Sequence, residues 1–355
     1  MIDKIKILYL YSELVGYQIP ILKEYVSQYN AEVHVMSWDK KKIKPYVPEL
    51  IEGVTYYKRS EYNNEQILSL TLDINPDIIY ISGWMDKGYL YVTKRMKKQN
   101  VPIVTAFDDI WKGTLRQKVG AFIFPFYFKK FFTHAWVAGA YQFEFAKKMG
   151  FKNREIVFDM LSADTSQFKY DANSLRKENT QKSFLYVGNF RKVKGVDILI
   201  NAFEIYKSKY NGTWNLICVG NGELEPSLKE CSRVKLFPFS TSKEIIEISK
   251  NANVFILPSR NDQWGVVVHE FACLGMPLLL AENVGAKASF FINGFNGYGF
   301  NNDSAEELAK QMYRFEKLDN NELLSMGENS YALSKKINVA TSAANFISIL
   351  KQYNG

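Results

Sequence analysis

Residues 251–300 constrain the fold more than any other part of the chain. Positions 254–257 are apolar and stop at Pro258, which reads as a short buried strand. Residues 259–265 are polar and end in Gly265, which reads as a loop. Residues 266–274 are apolar apart from His269 and Glu270, and Gly275-Met276-Pro277 stops them, as befits a buried helix. Residues 278–281 form a second apolar run, expected to lie parallel to the first. Strand, loop, helix and strand make one βαβ unit, which commits the chain to a parallel sheet with helices on its faces. Ligands of such sheets bind at the carboxyl ends of the strands.

Two carboxylates fall in this unit. Asp262 lies in the loop before the helix, where N–H groups are unpaired and the helix dipole is positive. Glu270 lies on an otherwise apolar helix, an unfavourable place for a charge without a partner. Either Glu270 is a buried acid bonded to the chain itself, or both acids face a ligand.

The pattern repeats upstream. Residues 183–187 read as a strand, followed by Gly188-Asn189-Phe190-Arg191 and Lys194-Gly195, then a helix over 196–207. A Gly-bearing loop between strand and helix suits phosphate, and Arg191 and Lys194 supply cations. Residues 214–219 are a further strand, followed by Gly220-Asn221-Gly222. Glu225 stands where a dinucleotide fingerprint needs its third Gly. Residues 234–237 are a strand before Pro238, and 244–249 are helical. Gly285-Ala286 falls in the next strand-to-helix loop. A helix over 304–317 opens with a Ser304/Glu307 capping box, and 321–353 is helical.

The first half alternates in the same way. Strands are expected at 5–11, 31–36, 77–82 and 102–107, and helices at 21–29, 65–72 and 88–99. Gly16, Tyr17, Trp84, Asp108 and Asp109 lie in loops after its strands. Asp108 and Asp109 either bond a ligand or cap a following helix. Residues 119–132, VGAFIFPFYFKKFF, are either an interfacial patch or a buried helix with Pro125 near its start. The lack of a clean polar face favours the buried helix. Residues 171–182 are apolar-poor and read as a linker.

The 355 residues suffice for two domains. Net charge is +8, of which residues 1–170 carry +6. A basic first half suits an anionic partner, or simply a solubilising face. Cys218, Cys231 and Cys273 have no metal spacing and read as core thiols of a reducing compartment. There is no apolar window of about 18 residues and no acid cluster with divalent-metal spacing, so neither a membrane span nor a signal peptide is expected.

Pro258, Ser259, Gly265, Glu270, Ala272, Gly275 and Pro277 stand in register with the signature of the retaining GT-B glycosyltransferases of group one, also called family four, which this chain resembles. Asp262 replaces the family's first Glu, and Phe271 its usual Ala. Gly188, Lys194 and Gly195 match a second motif, in which Asn189 stands at the family's Arg and Arg191 is the candidate replacement. The resemblance implies an α/β GT-B fold of two Rossmann-like domains facing across a cleft. Residues 1–170 would bind the acceptor, 171–335 the nucleotide sugar, and 336–355 would cross back to the first domain.

It also implies roles. Lys194 and Arg191 stabilise the leaving diphosphate, Asp262 meets the donor sugar and Glu270 the ribose. Gly188, Asn189, Gly220, Gly222, Pro238, Gly265 and Val266 surround the nucleotide, and Gly285 and Ala286 let the backbone approach its diphosphate. Compensation for the shorter Asp262 requires closure of the 259–265 loop, which Gly265 permits and Trp264 anchors. Gly16, Tyr17, Trp84, Asp108 and Asp109 fall to the acceptor. Phe107 stands where many members carry His, so no His base is implied there.

The expected substrate is a UDP-sugar or GDP-sugar, without a metal cofactor. The acceptor is a glycan or a lipid-linked sugar, and nucleic acid is not a partner. The place of work is the cytoplasm, at the inner face of an anionic membrane, in making lipopolysaccharide or capsule. Two rivals remain open: a catalytically silent homologue serving a partner enzyme, and a nucleotide-sugar epimerase, whose acid/base groups commonly include His; His269, adjacent to Glu270, is expected on another face of the helix.

Overall fold

The computed structural model describes residues 4–12, 14–39, 49–171 and 181–353. The Lys40, Lys41, Lys42 and Lys44 loop, Glu13 and most of the expected linker lie outside the described residues. The chain forms two compact units. One is Met1–Ser162 with Ile337–Gly355, the other Ala163–Lys336. The division thus falls eight residues before the expected 170/171 boundary.

The first unit is a seven-stranded parallel sheet in the order β3-β2-β1-β4-β5-β6-β7. Its strands are β1 Lys6–Tyr11, β2 Glu32–Ser37, β3 Val54–Lys58, β4 Ile78–Ile81, β5 Ile103–Phe107, β6 His134–Val137 and β7 Ile156–Val157. Strand β3 has no counterpart in the sequence reading. It lies at the sheet edge with none of its residues fully buried, so they show no buried run. Helices α1 Ile19–Tyr29, α2 Asn64–Ile74, α3 Lys87–Met96, α4 Leu115–Tyr127 and α5 Ala140–Lys148 connect the strands. Asp86 caps α3 through Gly88 and Tyr89 N–H groups, and accepts from Arg59 and Trp38 as well.

The second unit is a six-stranded parallel sheet in the order β10-β9-β8-β11-β12-β13. The strands are β8 Ser183–Val187, β9 Asn215–Val219, β10 Val234–Phe237, β11 Val254–Leu257, β12 Leu278–Ala281 and β13 Gly297–Phe300. The helices are α6 Val196–Lys209, α7 Glu225–Glu230, α8 Ser242–Ser249, α9 Val266–Cys273, α10 Lys287–Phe290, α11 Ala305–Glu316 and α12 Asn320–Ser334. Ser304 caps α11 through the Glu307 N–H, but the Glu307 carboxylate accepts from Asn301 N instead of closing the box. The expected helix over 321–353 is two helices. The break falls at 335–338, where the chain leaves the second unit, and α13 Val339–Tyr353 belongs to the first. There its Phe346 packs among Tyr9, Tyr25, Tyr80 and Trp136.

Candidate functional site

Both sheets are parallel throughout, so the carboxyl ends of all strands in each unit lie along one edge. In the second unit the strand order reverses between β8 and β11. A crevice at such a switch point is where open α/β sheets take their ligands. Two loops meet there, 188–195 after β8 and 258–265 after β11.

Their contact is an ion pair. The Lys194 ammonium lies 2.8 Å from Asp262 Oδ2, and the Ser259 hydroxyl donates to the same oxygen at 3.3 Å. Asp262 is only 9 % exposed, and Ser259 is fully buried. Lys194 reaches this position because Gly195 (φ 70°) turns the chain into α6; a Cβ there would sit 1.9 Å from the Pro258 carbonyl oxygen. A second clamp lies beside the first. Arg260 holds both carboxylate oxygens of Asp197 (2.6 and 2.8 Å) and also donates to Asp303 and to the Lys192 carbonyl. Sequence reasoning passed over Arg260. Its one signal was an Arg directly after the Pro-Ser turn.

The 259–265 loop is also tied along its backbone. Asp262 N donates to Asn283 O, Gly285 N to Asp262 O (3.0 Å), and Ala286 N to Trp264 O (2.8 Å). The amides of Gly285 and Ala286, expected to face a diphosphate, are therefore engaged within the loop pair. The same bonds oppose the further closure expected to compensate for the shorter Asp262. Trp264 does anchor the loop: it is buried, edge-on to Phe290, and its indole N–H finds no acceptor among the described residues.

Gly188 and Asn189 follow β8. The Asn189 carbonyl accepts from the Tyr186 hydroxyl, leaving its side chain exposed. Gly220 and Gly222 pack against this first loop. A Cβ on Gly220 would lie 2.1 Å from the Gly188 carbonyl oxygen, and one on Gly222 2.6 Å from that of Phe190. Their small size is thus already required by loop-to-loop contact. Arg191 is exposed and makes no ion pair among the described residues. Pro238 is exposed at the end of β10.

Gly265 (φ 84°) begins α9 and passes the chain to Val266. One turn on, Glu270 is half-buried, and its carboxylate makes no hydrogen bond or ion pair among the described residues. Burial, reinforced by the charge of Asp164, raises its pKa from 4.5 to about 7. The first alternative of the sequence reading, an acid satisfied by its own chain, is therefore not what this carboxylate does. Its neighbour His269 is fully buried and spoken for. Its Nδ1 accepts from Ala163 N (2.9 Å), its Nε2 donates to Ser334 O (3.0 Å), and its ring stacks on Phe290 at 4.1 Å. These bonds fix the neutral Nε2–H tautomer and give His269 a structural role.

In the first unit, Gly16 and Tyr17 lie in a 3-10 turn after β1. Tyr17 lines a small pocket with Tyr9, Gln18, Tyr80, Trp136 and Ser342, with room for about one water molecule. The Ser342 hydroxyl is buried there without a partner among the described residues. Trp84 packs into the aromatic core, 4.9 Å from Phe124, so its part is chiefly structural. Phe107 is buried between Phe124, Phe145 and Phe151. Asp108 and Asp109 are exposed; neither caps α4, whose cap is Thr114. Among the described residues no cluster of His, Cys, Asp and Glu is arranged to hold a metal ion, and no helix is long and apolar enough to cross a membrane.

The sequence model of the glycosyl transferases group 1 matches residues 167–333, which carry this whole cluster. An uncharacterized glycosyltransferase of Methanocaldococcus jannaschii is 28 % identical over 159 residues, 43 % of either chain. The capsular polysaccharide biosynthesis glycosyltransferase CapM of Staphylococcus aureus is 28 % identical over 183 residues, 49 % of this chain and 46 % of its own. The chain thus spans less than half the length of the curated relatives it matches. The structure of Anabaena HepE in complex with UDP superposes with a TM-score of 0.76 over 99 % of this chain and 100 % of the other, at 16 % identity. That likeness establishes the fold: two parallel-sheet, Rossmann-like domains of the GT-B type.

Proposed function

We propose that the chain is a glycosyltransferase that moves a hexosyl group from a UDP-sugar or GDP-sugar to a glycan or lipid-linked acceptor, with retention of anomeric configuration. One observation carries the reading. At the switch point of the second sheet, a cation held by a displaceable carboxylate lies beside a loop leading to a half-buried, unpartnered acid. Lys194 is an anion receptor with a temporary occupant, and Glu270 is an acceptor waiting for donors.

On donor binding, the diphosphate takes over Lys194 from Asp262, and Arg191 supplies a second charge from the exposed rim. Asp262, released, accepts from hydroxyls of the donor sugar. Glu270 accepts from the ribose hydroxyls, which favours its ionised form. As the glycosidic C–O bond breaks, its electron pair goes to the leaving phosphate oxygen, whose charge Lys194 and Arg191 stabilise. The acceptor oxygen forms the new bond on the same face, and its proton passes to the leaving phosphate. No protein base is assigned, and none of these steps calls on a metal.

The UDP complex of the Anabaena neighbour supports a nucleoside diphosphate, and the Staphylococcus relative supports surface-polysaccharide synthesis. Work at the cytoplasmic face of a membrane follows from a lipid-linked acceptor and a basic first domain. A catalytically silent, nucleotide-binding subunit is the second reading. The short Asp262, already paired with Lys194, is the observation in its favour.

The test is incubation with a panel of UDP- and GDP-sugars, alongside calorimetric titration with UDP and GDP. Release of free nucleoside diphosphate together with product supports transfer. Binding without release selects the silent subunit. A sugar altered while still attached to its nucleotide selects an epimerase. If neither diphosphate binds, the donor site is wrong.

A further inference from the structure

Helix α4 does not have the environment its sequence suggests. It is not a buried helix, and Pro125 lies near its end, packed towards Gly150. Phe124 alone is buried (2 % exposed), and it ties the helix to Trp84, Phe107, Phe132 and Phe151. The other face points to solvent. Leu115, Val119, Phe122, Ile123 and Phe126 recur at helical spacing on it. Leu115 is 78 % exposed, Phe122 74 % and Phe126 69 %. The rings of Phe122 and Phe126 neighbour each other along the helix, centroids 6.0 Å apart and tilted by 58°. The helix is apolar on both sides, which is why no polar face could be read from its sequence.

Basic charge dominates beside this face. Arg116, Lys118 and Lys130 are exposed on or beside α4, and residues 110–143 contain no Asp or Glu at all. Lys129 is the exception, drawn away to Glu155 at 3.1 Å. We propose that the outer face of α4 is a docking surface for an anionic lipid bilayer. In it the helix lies flat, with Phe122 and Phe126 in the acyl boundary and Arg116 and Lys118 at the headgroups. Being fixed to the core by Phe124 and only 13 residues long, α4 cannot span the bilayer and must lie in its plane. Charge decides against a second copy as occupant. A symmetric contact through this face would oppose Arg116 and Lys118 to their own copies, and Asp109, which lies within the field of Arg116, offsets only part of that charge, whereas an anionic surface complements both basic residues.

This deepens the membrane part of the proposed function, yet involves no donor-site residue, so the two readings fail separately. The experiment is co-sedimentation of the full chain with neutral phosphatidylcholine vesicles and with vesicles containing about one-third phosphatidylglycerol, at low and high salt. The wild-type chain should bind the anionic vesicles and release in part at high salt. Phe122→Ser with Phe126→Ser should lower partitioning roughly 100-fold. Arg116→Gln with Lys118→Gln should lower it on the order of tenfold and flatten its salt dependence. Since all four side chains point outwards, UDP binding and the thermal midpoint should be unchanged in both variants. Wild-type binding that ignores anionic lipid, or vesicle binding retained by both variants, overturns the proposal. So does a wild-type dimer that the Phe variant turns into a monomer, which would give the face to a second copy.

Discussion

The ammonium of Lys194 and the carboxylate of Asp262 meet at 2.8 Å although 68 positions separate them in the sequence. The pair joins the loops after β8 and β11, the two strands that flank the switch point. It does two things at once. It neutralises a nearly buried Asp, and it holds a Lys where the proposed donor would place its diphosphate.

The first prediction follows from that double duty. Lys194→Ala should lower turnover by roughly 10²-fold or more, as expected for loss of a donor at a developing charge. It should also destabilise the fold. Position 194 is in a polar loop, but removing its charge leaves Asp262 with Ser259 as its remaining side-chain partner. A loss of about 1–3 kcal/mol is expected, less than for a fully buried pair because Lys194 is partly exposed. Adding Asp262→Asn should restore most of the stability and none of the turnover. A double-mutant cycle in urea that shows no coupling would dissolve the pair as an energetic unit.

Glu270 gives a prediction in pH. Its folded pKa is raised from 4.5 to about 7. The folded state therefore holds a proton that the unfolded chain releases between these values, so stability falls as pH rises from about 4.5 to about 7. Glu270→Gln should be neutral below pH 4.5 and stabilising above pH 7, by up to about 3 kcal/mol. Nucleoside diphosphate affinity should move the opposite way in the wild-type chain. It should increase from pH 6 to pH 8 with proton release, because ribose hydroxyls donate to the ionised acid. Equal pH profiles for wild type and Glu270→Gln would remove the acid from the site.

Arg260 yields a third. Arg260→Lys keeps the charge but loses the fork that takes both oxygens of Asp197. Because these groups are about one-third exposed, the expected cost is modest, about 1 kcal/mol. Its more telling effect should be on the 258–265 loop, with faster amide exchange at Asn261 and Asp262 and an unchanged β-sheet. Exchange identical to wild type would mean that the backbone bonds to 283–286 hold the loop alone.

How much of this was legible in the sequence depended on burial. Strands β8, β11 and β12 are buried along nearly their whole length, so their apolar runs were plain, and the segments that follow them fell in place, with Lys194 and Asp262 before their helices and Glu270 on α9. Edge strand β3 buries too little to leave a pattern. Helix α4 failed for the opposite reason. Its apolar residues cover both faces, and composition cannot tell a face against the core from one left in solvent. Contacts between distant loops were beyond reach. Nothing in the spacing said that Asp262 would take Lys194, that the amides of Gly285 and Ala286 would be consumed by Asp262 and Trp264, or that His269 would be pinned between Ala163 and Ser334.

The last prediction separates the two acids. In the proposed site Asp262 serves the donor sugar and Glu270 the ribose, so free nucleoside diphosphate, which lacks the sugar, reports on Glu270 alone. Glu270→Ala should weaken its binding by about 1–3 kcal/mol, the cost of leaving buried hydroxyls without an acceptor. Asp262→Ala should bind it at least as tightly as the wild type. In the resting chain Asp262 occupies Lys194, and the diphosphate must displace it; deleting the carboxylate removes that competitor. With the complete nucleotide sugar the order should reverse in kcat, Asp262→Ala losing the contact that orients the reacting ring. Calorimetry with the diphosphate and turnover with the sugar nucleotide, on the same two variants, check both halves. Equal weakening of diphosphate binding in the two variants would end the division of labour between the acids. Unchanged binding in Glu270→Ala would take the ribose, and with it the donor, out of the switch-point crevice.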